Sequence, residues 1–247
     1  MSDRECREVV LGIDTSAILG GVALAAGSRL LAEARVDARA AASERILPQI
    51  DRLLSDLGLA RDSIGRIGVV IGPGSFTGVR VGLATAKGLA EGLEAGVVPI
   101  SSVEARAFAS GAEERAVLVL TAPRQGEVFC GAGWREGGRF HWILPPASRP
   151  LDDATWVLEA VAGAVDRAMA PLLCVGDGAG ALLGSKAARE AGERLVVLTR
   201  AAASAVPGAA ALLAAEAGAS SLLTGRELDS LVPVYLRGAA AKKPQAG

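Results

Sequence analysis

Short apolar runs and longer amphipathic segments alternate along the chain. VVLGID, from Val9 to Asp14, is a β-branched run that stops at an acid, which is typical of a buried strand. GGVALAAG and RLLAEARVDA predict two further strands joined by glycine turns. The chain is therefore expected to open with three consecutive strands.

A helix is predicted from Ser43 to Leu57, because its apolar residues recur on one face. Ser43 can cap its start, and Gly58 can end it in the left-handed conformation. Pro48 has no amide hydrogen to donate in the first full turn, so the helix either begins nearer Ile46 or bends at the proline.

The order of elements then repeats. A strand from Ile67 to Ile71, the loop GPGSFTGVR, a helix from Ser75 to Leu93 and the strand GVVPIS complete a βββαβαβ unit. A second unit follows, with strands at RAVLVLTAP, GEVFCGAGW, RFHWIL, PLLCVG and RLVVLT and helices near 152–169, 178–191 and 207–219. Two such units predict a duplicated ribonuclease-H-like α/β fold, with a mixed sheet and flanking helices in each lobe.

The duplication divides the chain into an amino-terminal lobe at residues 1–110 and a carboxy-terminal lobe at 111–237. The remaining segment, 238–247, is rich in alanine, lysine, proline and glycine. We expect it to be a disordered tail, because it has too few apolar residues to offset the entropy of ordering it.

The loop GPGSFTGVR lies between a strand and a helix, where glycine-rich loops often hold a phosphate. It is not a P-loop, because Val79 follows Gly78 where a lysine is required, and its glycines do not have dinucleotide-binding spacing. Free amides at Gly74 and Ser75 could still attract an anion. Alternatively, Gly72 and Gly74 supply unusual backbone angles in a tight turn that Ser75 caps.

Small residues recur at every fourth position of the helix behind this loop. Gly78, Gly82, Ala86 and Ala90 form one stripe, and a second consists of Ala84, Gly88 and Gly92. Glycine inside a helix costs about 1 kcal/mol relative to alanine, so close approach of another element is the expected reason for it. One stripe can face the lobe's own sheet, which leaves the other for the helix at 43–57 or for another protein. Both stripes could also be internal.

Composition excludes several kinds of catalytic site. His141 is the only histidine, which excludes an HExxH zinc protease and leaves any Ser-His-Asp or Cys-His centre dependent on one residue in a predicted strand. We expect it to be a packed or edge residue. Cys6, Cys130 and Cys174 are odd in number and widely spaced, so they predict neither a disulfide framework nor a zinc site.

Charge and hydropathy limit the partners. The net charge is −1, and four Phe, three Trp and one Tyr are too few for a stacking platform, so any RNA is expected to be held by another chain. No apolar run reaches the roughly 18 to 20 residues of a membrane span, and MSDRECREVV has no apolar targeting core. We therefore expect a cytoplasmic protein that does not contact a membrane.

Several stretches together resemble a known family. LGIDTS, SERILPQIDRLLSDLGL, GVVIGPGSFTGVRVGLATAKGLAEGLEAGVVPISSVEA and RQGEVF are similar to the bacterial TsaB (YeaZ) family of the tRNA threonylcarbamoyladenosine machinery. The resemblance is close over the predicted amino-terminal lobe and thins afterwards, and GPGSFTGVR with its small-residue helix is the most specific part. It implies an actin-like (ASKHA) two-lobe fold of the sugar-kinase and heat-shock ATPase class.

The resemblance also implies a function without catalysis. Such a subunit forms a heterodimer with TsaD, its metal- and nucleotide-binding paralogue, and recruits the TsaE ATPase, so that TsaD can modify adenosine 37 of tRNAs that decode ANN codons. It implies no cofactor of the subunit's own, ATP and magnesium in the complex, and a homodimer through the same face when TsaD is absent. The implied partner surface lies on the two amino-lobe helices, at Ile46, Ile50, Leu53, Leu54, Val79, Gly82, Leu83, Ala86, Leu89 and Ala90.

Two positions depart from the family's pattern. Ala122 stands where an acid usually precedes the GEVF strand, and Ala42 stands where a histidine is frequent. Actin-like phosphotransferases need carboxylates on the leading strands of both lobes, and only Asp14 matches such a position here. Asp177, in GDGAG, could substitute for the missing acid but suits a turn or a helix cap better.

Two other functions remain as alternatives. The first is an actin-like ATPase or small-molecule kinase that uses Asp14 with the Gly72 to Ser75 loop, which makes Asp14, Gly74 and Ser75 the candidate nucleotide-binding residues. The second is a peptidase, for which the sequence lacks both a zinc motif and a second histidine.

Overall fold

The computed structural model describes residues 9–17, 19–37, 42–112, 114–124, 126–151, 155–198 and 206–236. The expectations for Cys6 and for the tail at 238–247 fall outside these ranges. Within them, the helices are all too short or too polar to cross a bilayer.

The first lobe is built on a five-stranded mixed sheet with the order β3-β2-β1-β4-β5. Strand β2 is antiparallel to β1 and β3, whereas β1, β4 and β5 are parallel to one another. Helices α1 and α2 pack their apolar faces on one side of this sheet. The elements are β1 (Val9–Asp14), β2 (Leu19–Ala26), β3 (Arg29–Asp37), α1 (Ala42–Asp56), β4 (Ile64–Val70), α2 (Phe76–Leu93) and β5 (Gly96–Ile100).

The second lobe repeats this plan. Its sheet has the order β10-β9-β6-β7-β8, and only its second strand, β7, runs against the others. Counted from its opposite edge, this is the strand order of the first sheet, so the predicted duplicated two-lobe α/β fold is confirmed. The elements are β6 (Val117–Arg124), β7 (Glu127–Glu136), β8 (Arg139–Pro150), α4 (Thr155–Val165), β9 (Leu172–Val175), α5 (Lys186–Ala191) and β10 (Leu195–Val197).

The ends of the first two helices follow local sequence signals. Helix α1 begins one residue before the predicted cap Ser43 and continues through Pro48. Gly58 beyond its end has a φ of +65°, as predicted for a left-handed residue. At the start of α2, the hydroxyl of Ser75 accepts a hydrogen bond from the Gly78 amide at 3.3 Å, which confirms the predicted cap.

Two segments were not anticipated in these positions. Helix α3 (Ser102–Ala109) connects the lobes, and α6 (Pro207–Glu216) packs on the first sheet although it follows the second lobe in the chain. The sequence predicted that residues 111–237 form the second lobe. In the structure, the chain returns to the first lobe at α6. Short 3-10 turns at Arg61–Ser63, Ala179–Leu182, Gly192–Arg194 and Ala219–Ser221 and a short helix α7 (Gly225–Ser230) complete the described elements.

Glycines in two central strands make room for α6. A Cβ added at Gly12 in β1 would lie 2.0 Å from the Pro207 carbonyl oxygen, and one at Gly68 in β4 would lie 2.2 Å from that of Ala210. Helix α6 is rich in alanine on the side of the sheet, so its backbone rests almost directly on the strands. The contact therefore depends on the absence of side chains on both surfaces.

Candidate functional site

The loop after β4 is joined to the end of β1 by hydrogen bonds within the chain. The Ser75 amide donates to the Ser16 carbonyl at 2.7 Å, and the Thr15 hydroxyl donates to the Gly78 carbonyl at 2.7 Å. A Cβ at Gly74 would lie 2.4 Å from the Ser16 carbonyl oxygen, so Gly74 is required by close approach. Gly72 has a φ of +107°, as the turn interpretation predicts.

Asp14, at the end of β1, is completely buried. One carboxylate oxygen accepts a hydrogen bond from the Ser16 amide at 2.8 Å, and the other accepts from the Val206 amide at 3.1 Å. Val206 immediately precedes α6, so the carboxylate compensates a free amide and the positive end of the helix dipole. Asp14 thereby ties the first sheet to the cap residue of a helix, 192 residues later in the sequence.

The structure thus places the three predicted nucleotide-binding residues together. Asp14, Gly74 and Ser75 all surround Ser16, but the carboxylate of Asp14 and the amide of Ser75 already have backbone partners. The phosphate role of the loop stays a prediction, while its observed contact is with the β1–β2 connection.

Replacement of Asp14 by Asn should destabilise the fold by about 1–3 kcal/mol, because one of the two buried backbone amides would lose its acceptor. Urea unfolding followed by circular dichroism measures this change. As a control, Asp56→Asn removes only an exposed ion pair with Arg52 and should change stability by less than about 0.5 kcal/mol. An Asp14→Asn variant as stable as the parent would contradict the capping role.

A buried arginine, which the sequence analysis did not single out, completes this region. Arg106 on α3 is fully buried, and its guanidinium donates to the Ser102 carbonyl at 3.0 Å and to the Ser16 hydroxyl at 3.2 Å. Ser16 is therefore held by β1, by the loop and by the helix between the lobes. The only signal in the sequence is one arginine at the centre of the largely apolar segment SVEARAFA.

The ten residues predicted for the partner surface lie mainly inside the first lobe, and their role in pairing stays a prediction. Nine of the ten are buried, and the remaining one, Leu89, is half-buried against the same core. A Cβ at Gly82 would lie 2.4 Å from the Thr15 hydroxyl oxygen. The physical reason is that these residues form the apolar faces of α1 and α2, which pack on the lobe's own sheet. The buried nine are Ile46, Ile50, Leu53, Leu54, Val79, Gly82, Leu83, Ala86 and Ala90.

The second small-residue stripe of α2 is exposed instead. Ala84, Gly88 and Gly92 face solvent, and a Cβ added at Gly88 or Gly92 would meet no atom within 4 Å. The neighbouring helix α1 exposes Leu47, whose side chain is 46% accessible. We call Ala84, Gly88 and Gly92 the open stripe. It gives α2 a surface on which another helix could approach closely.

The amino end of α2 also carries an aromatic cluster. Residues 231–236 run past the loop, where the Val234 amide donates to the Ile71 carbonyl at 2.8 Å. Arg80 donates from Nε to the Tyr235 hydroxyl at 2.7 Å, and its guanidinium lies 3.7 Å from the centre of the Phe76 ring. The centres of the Phe76 and Tyr235 rings are 5.1 Å apart. This cluster links the carboxy-terminal part of the chain to the start of α2.

The second lobe offers fewer candidate groups. Ala122 lies in β6, but its side chain falls outside the description, and Asp177 is exposed in the loop after β9. His141 lies in β8 and stacks on Trp134 at 5.0 Å, which confirms the prediction of a packed residue. In the described parts of the chain, His, Cys, Asp and Glu side chains form no group of three or more that could hold a metal ion.

Two buried cysteines should be unreactive in the folded protein. Burial raises the pKa of Cys130 to about 11 and that of Cys174 to about 12, so both remain thiols at pH 8. Iodoacetamide should therefore leave both unmodified in native protein and alkylate both in guanidinium, as read by peptide mass spectrometry. Alkylation of either at comparable rates in the two states would contradict this burial.

Comparison with known proteins gives a consistent set of relatives. The family of TsaD, described as tRNA N6-adenosine threonylcarbamoyltransferase, matches residues 36–140. A protein of Bacillus subtilis named tRNA threonylcarbamoyladenosine biosynthesis protein TsaB is 31% identical over 144 residues, or 58% of this chain and 63% of that protein. The protein of the same name from Haemophilus influenzae is 40% identical over 108 residues, or 40% of this chain and 46% of that protein. The chain thus spans 46% to 63% of the length of these curated relatives.

The structural likeness extends further along the chain. A crystal structure from Pseudomonas aeruginosa, described as an uncharacterized protein with similarity to peptidase YEAZ, has a TM-score of 0.74 and 25% identity. The superposition covers 93% of this chain and 100% of the other. Both lobes are therefore similar to those of a solved protein, including the second lobe, where the sequence resemblance thins.

Proposed function

Because this chain belongs to the TsaB (YeaZ) family, we propose that it is a non-catalytic partner subunit in the threonylcarbamoyl modification of adenosine 37 in tRNAs that decode ANN codons. It forms a heterodimer with TsaD in the cytoplasm, recruits the TsaE ATPase and meets tRNA only through the complex. The observation that carries this proposal is the similarity to proteins named for tRNA threonylcarbamoyladenosine biosynthesis.

The environment of Asp14 supports a role without catalysis. A carboxylate that holds magnesium in a phosphotransferase must have oxygens free to face the metal or its waters. Both oxygens of Asp14 instead accept backbone amides, one of them from the start of α6. In this proposal the acid is structural, and any ATP and magnesium belong to the complex with TsaD and TsaE.

The open stripe supports pairing with another subunit. Glycine at positions 88 and 92 is not required by any contact within the chain, since a Cβ there would meet nothing within 4 Å. Gly88 lies inside this 18-residue helix and weakens it by about 1 kcal/mol relative to alanine, and Gly92 lies in its last turn. Close packing of a partner helix on the stripe would explain their presence. The same face would form the homodimer contact when TsaD is absent.

Reconstitution tests the proposed function. TsaD and TsaE from the same organism, a threonylcarbamoyl donor, ATP, magnesium and an ANN-decoding tRNA are incubated with and without this chain. We expect modified adenosine only when the chain is present, and a stable complex with TsaD by size-exclusion chromatography. Equal modification in both reactions, or no complex, would refute the proposal.

The Asp14→Asn variant separates this function from the ATPase alternative. We expect the Asp14→Asn variant to support tRNA modification in proportion to the amount of folded protein, because Asp14 has a structural role. An ATPase or kinase that depends on Asp14 would instead lose its turnover while the protein remained folded. Modification is measured at a temperature where circular dichroism shows that the variant is folded.

A further inference from the structure

Helix α3 lies between the two lobes and contributes a different face to each. Ala105 and Phe108 pack with the cluster that joins α6 to the first sheet. Val103 and Ala107 pack instead on the inner face of the second sheet. The lobes therefore contact each other largely through one short helix, and any element that crosses from the second sheet to α6 reinforces this arrangement.

Arg135 makes such a crossing. It lies in β7 of the second lobe, and its guanidinium forms an ion pair with Glu216, the last residue of α6 on the first lobe. The same nitrogen donates to the Gly138 carbonyl at 3.3 Å, and the guanidinium carbon lies 5.3 Å from the centre of the Phe108 ring. One side chain of β7 thus contacts the β7–β8 turn, α3 and α6.

The charge of the same guanidinium acts on a second carboxyl. Burial raises the pKa of Glu104 on α3, and the charge of Arg135 opposes that rise. The Arg135 side chain is only 23% exposed and that of Glu216 is 42% exposed. The Arg135 end of the pair is therefore less screened by solvent than the Arg61 end of the Arg61–Asp51 pair, where the Arg61 side chain is 62% exposed.

A cavity of about 340 Å³ lies beside these residues. Its wall includes Phe108 and Arg135, together with the turn of the β7–β8 hairpin and the segment that leads from α3 into β6. Movement of the hairpin away from α3 would enlarge this cavity and separate Arg135 from Glu216. The cavity therefore lies between α3 and the hairpin, on the side from which the hairpin could move.

We propose that Arg135 and Glu216 form an interlobe clasp, which fixes the β7–β8 hairpin of the second lobe against α3 and α6. When the clasp is removed, both lobes remain folded, but the hairpin, the end of α3 and the end of α6 open together. An unconnected surface ion pair would leave all three segments unchanged.

Hydrogen–deuterium exchange of the full chain tests the clasp. Arg135→Met removes the charge and keeps most of the side-chain stem, and Glu216→Gln removes the charge with little change of shape. In each variant, amides at 133–142, 106–111 and 212–217 should exchange at least about fivefold faster than in the parent. Amides of α2 and β1 should exchange at the parental rate.

Arg61→Met is the matched control, because it removes an ion pair with Asp51 at 2.6 Å that lies entirely within the first lobe. It should accelerate exchange only around 51–63. The clasp is overturned if either clasp variant leaves the three segments at the parental rate. It is also overturned if the acceleration extends equally into α2 and β1, or if Arg61→Met gives the same pattern.

Discussion

Replacement of Gly88 by arginine should weaken the proposed binding of TsaD by at least about 100-fold, which corresponds to about 2.7 kcal/mol, without unfolding the chain. An arginine at the centre of the open stripe would hold a partner helix away from α2 and would bury a charge in the contact. The fold should tolerate it, because a Cβ at this position meets no atom within 4 Å. Arginine also favours the helix over glycine by about 1 kcal/mol.

Isothermal titration calorimetry with TsaD measures this effect, and thermal unfolding confirms that the variant is folded. Gly180→Arg is the matched control, since it adds the same side chain at an open position of the second lobe and should bind TsaD as the parent does. Gly82→Arg should instead unfold the chain, because its Cβ would lie 2.4 Å from the buried Thr15 hydroxyl oxygen. Unchanged affinity of Gly88→Arg would remove the open stripe from the interface.

Replacement of Gly12 by alanine should destabilise the isolated chain by about 3 kcal/mol or more, at the upper end of the range for overpacked cores. The added methyl group would lie 2.0 Å from the Pro207 carbonyl oxygen and 2.6 Å from the Ala211 amide nitrogen. These are backbone atoms, so no side-chain rotation can relieve the clash, and α6 must move off the sheet. For a chain of this size the melting temperature should fall by about 6–12 °C.

Differential scanning calorimetry measures this loss, and Gly88→Ala serves as the same substitution at an open helical site, where stability should rise slightly. Ala211→Gly should fail to rescue Gly12→Ala, because the nearest atoms to the new methyl belong to the backbone and not to the Ala211 side chain. A stability within about 0.5 kcal/mol of the parent would show that α6 does not rest on β1 as described.

Local chemistry in the sequence predicted local structure well. The hydroxyl of Ser75 caps α2, Gly58 ends α1 with a positive φ, and the order of strands predicted the duplicated sheets. Each of these signals depends on residues a few positions apart in the chain, or on a repeat of element order. Local signals and repeated element order can both be recognised in the sequence without knowledge of the tertiary contacts.

The exposed face of α2 could not be predicted in the same way. The helical period of 3.6 residues identifies which residues of α2 share a face, but not which element packs on that face. Helix α2 has two faces lined by small residues, so periodicity alone cannot tell which one is buried. The residues predicted for the partner surface lie on the Gly82 and Ala86 face, which packs against Thr15 and the core. The open stripe became recognisable only when the sheet was seen to cover the other side.

The long-range contacts could not be predicted either, although glycines inside two strands indicated that another backbone approaches them closely. Gly12 and Gly68 each interrupt a strand of branched apolar residues, a pattern that often marks close approach of another backbone. The partner that approaches, α6, lies about 140 to 200 residues away in the sequence. Neither the capping of this helix by Asp14 nor the contact of Arg106 with Ser16 has a local pattern that could reveal it.

The return of the chain to the first sheet has a consequence for biosynthesis. Helix α6 covers β1 and β4, Leu223 pairs with Val97 at the edge of the sheet, and Val234 bonds to Ile71. A ribosome releases these segments after the second lobe, so one face of the first sheet stays uncovered while the whole second lobe emerges. A transcript cut before the codon for Val206 would therefore encode a chain that lacks the helix covering β1 and β4 and cannot complete its first lobe.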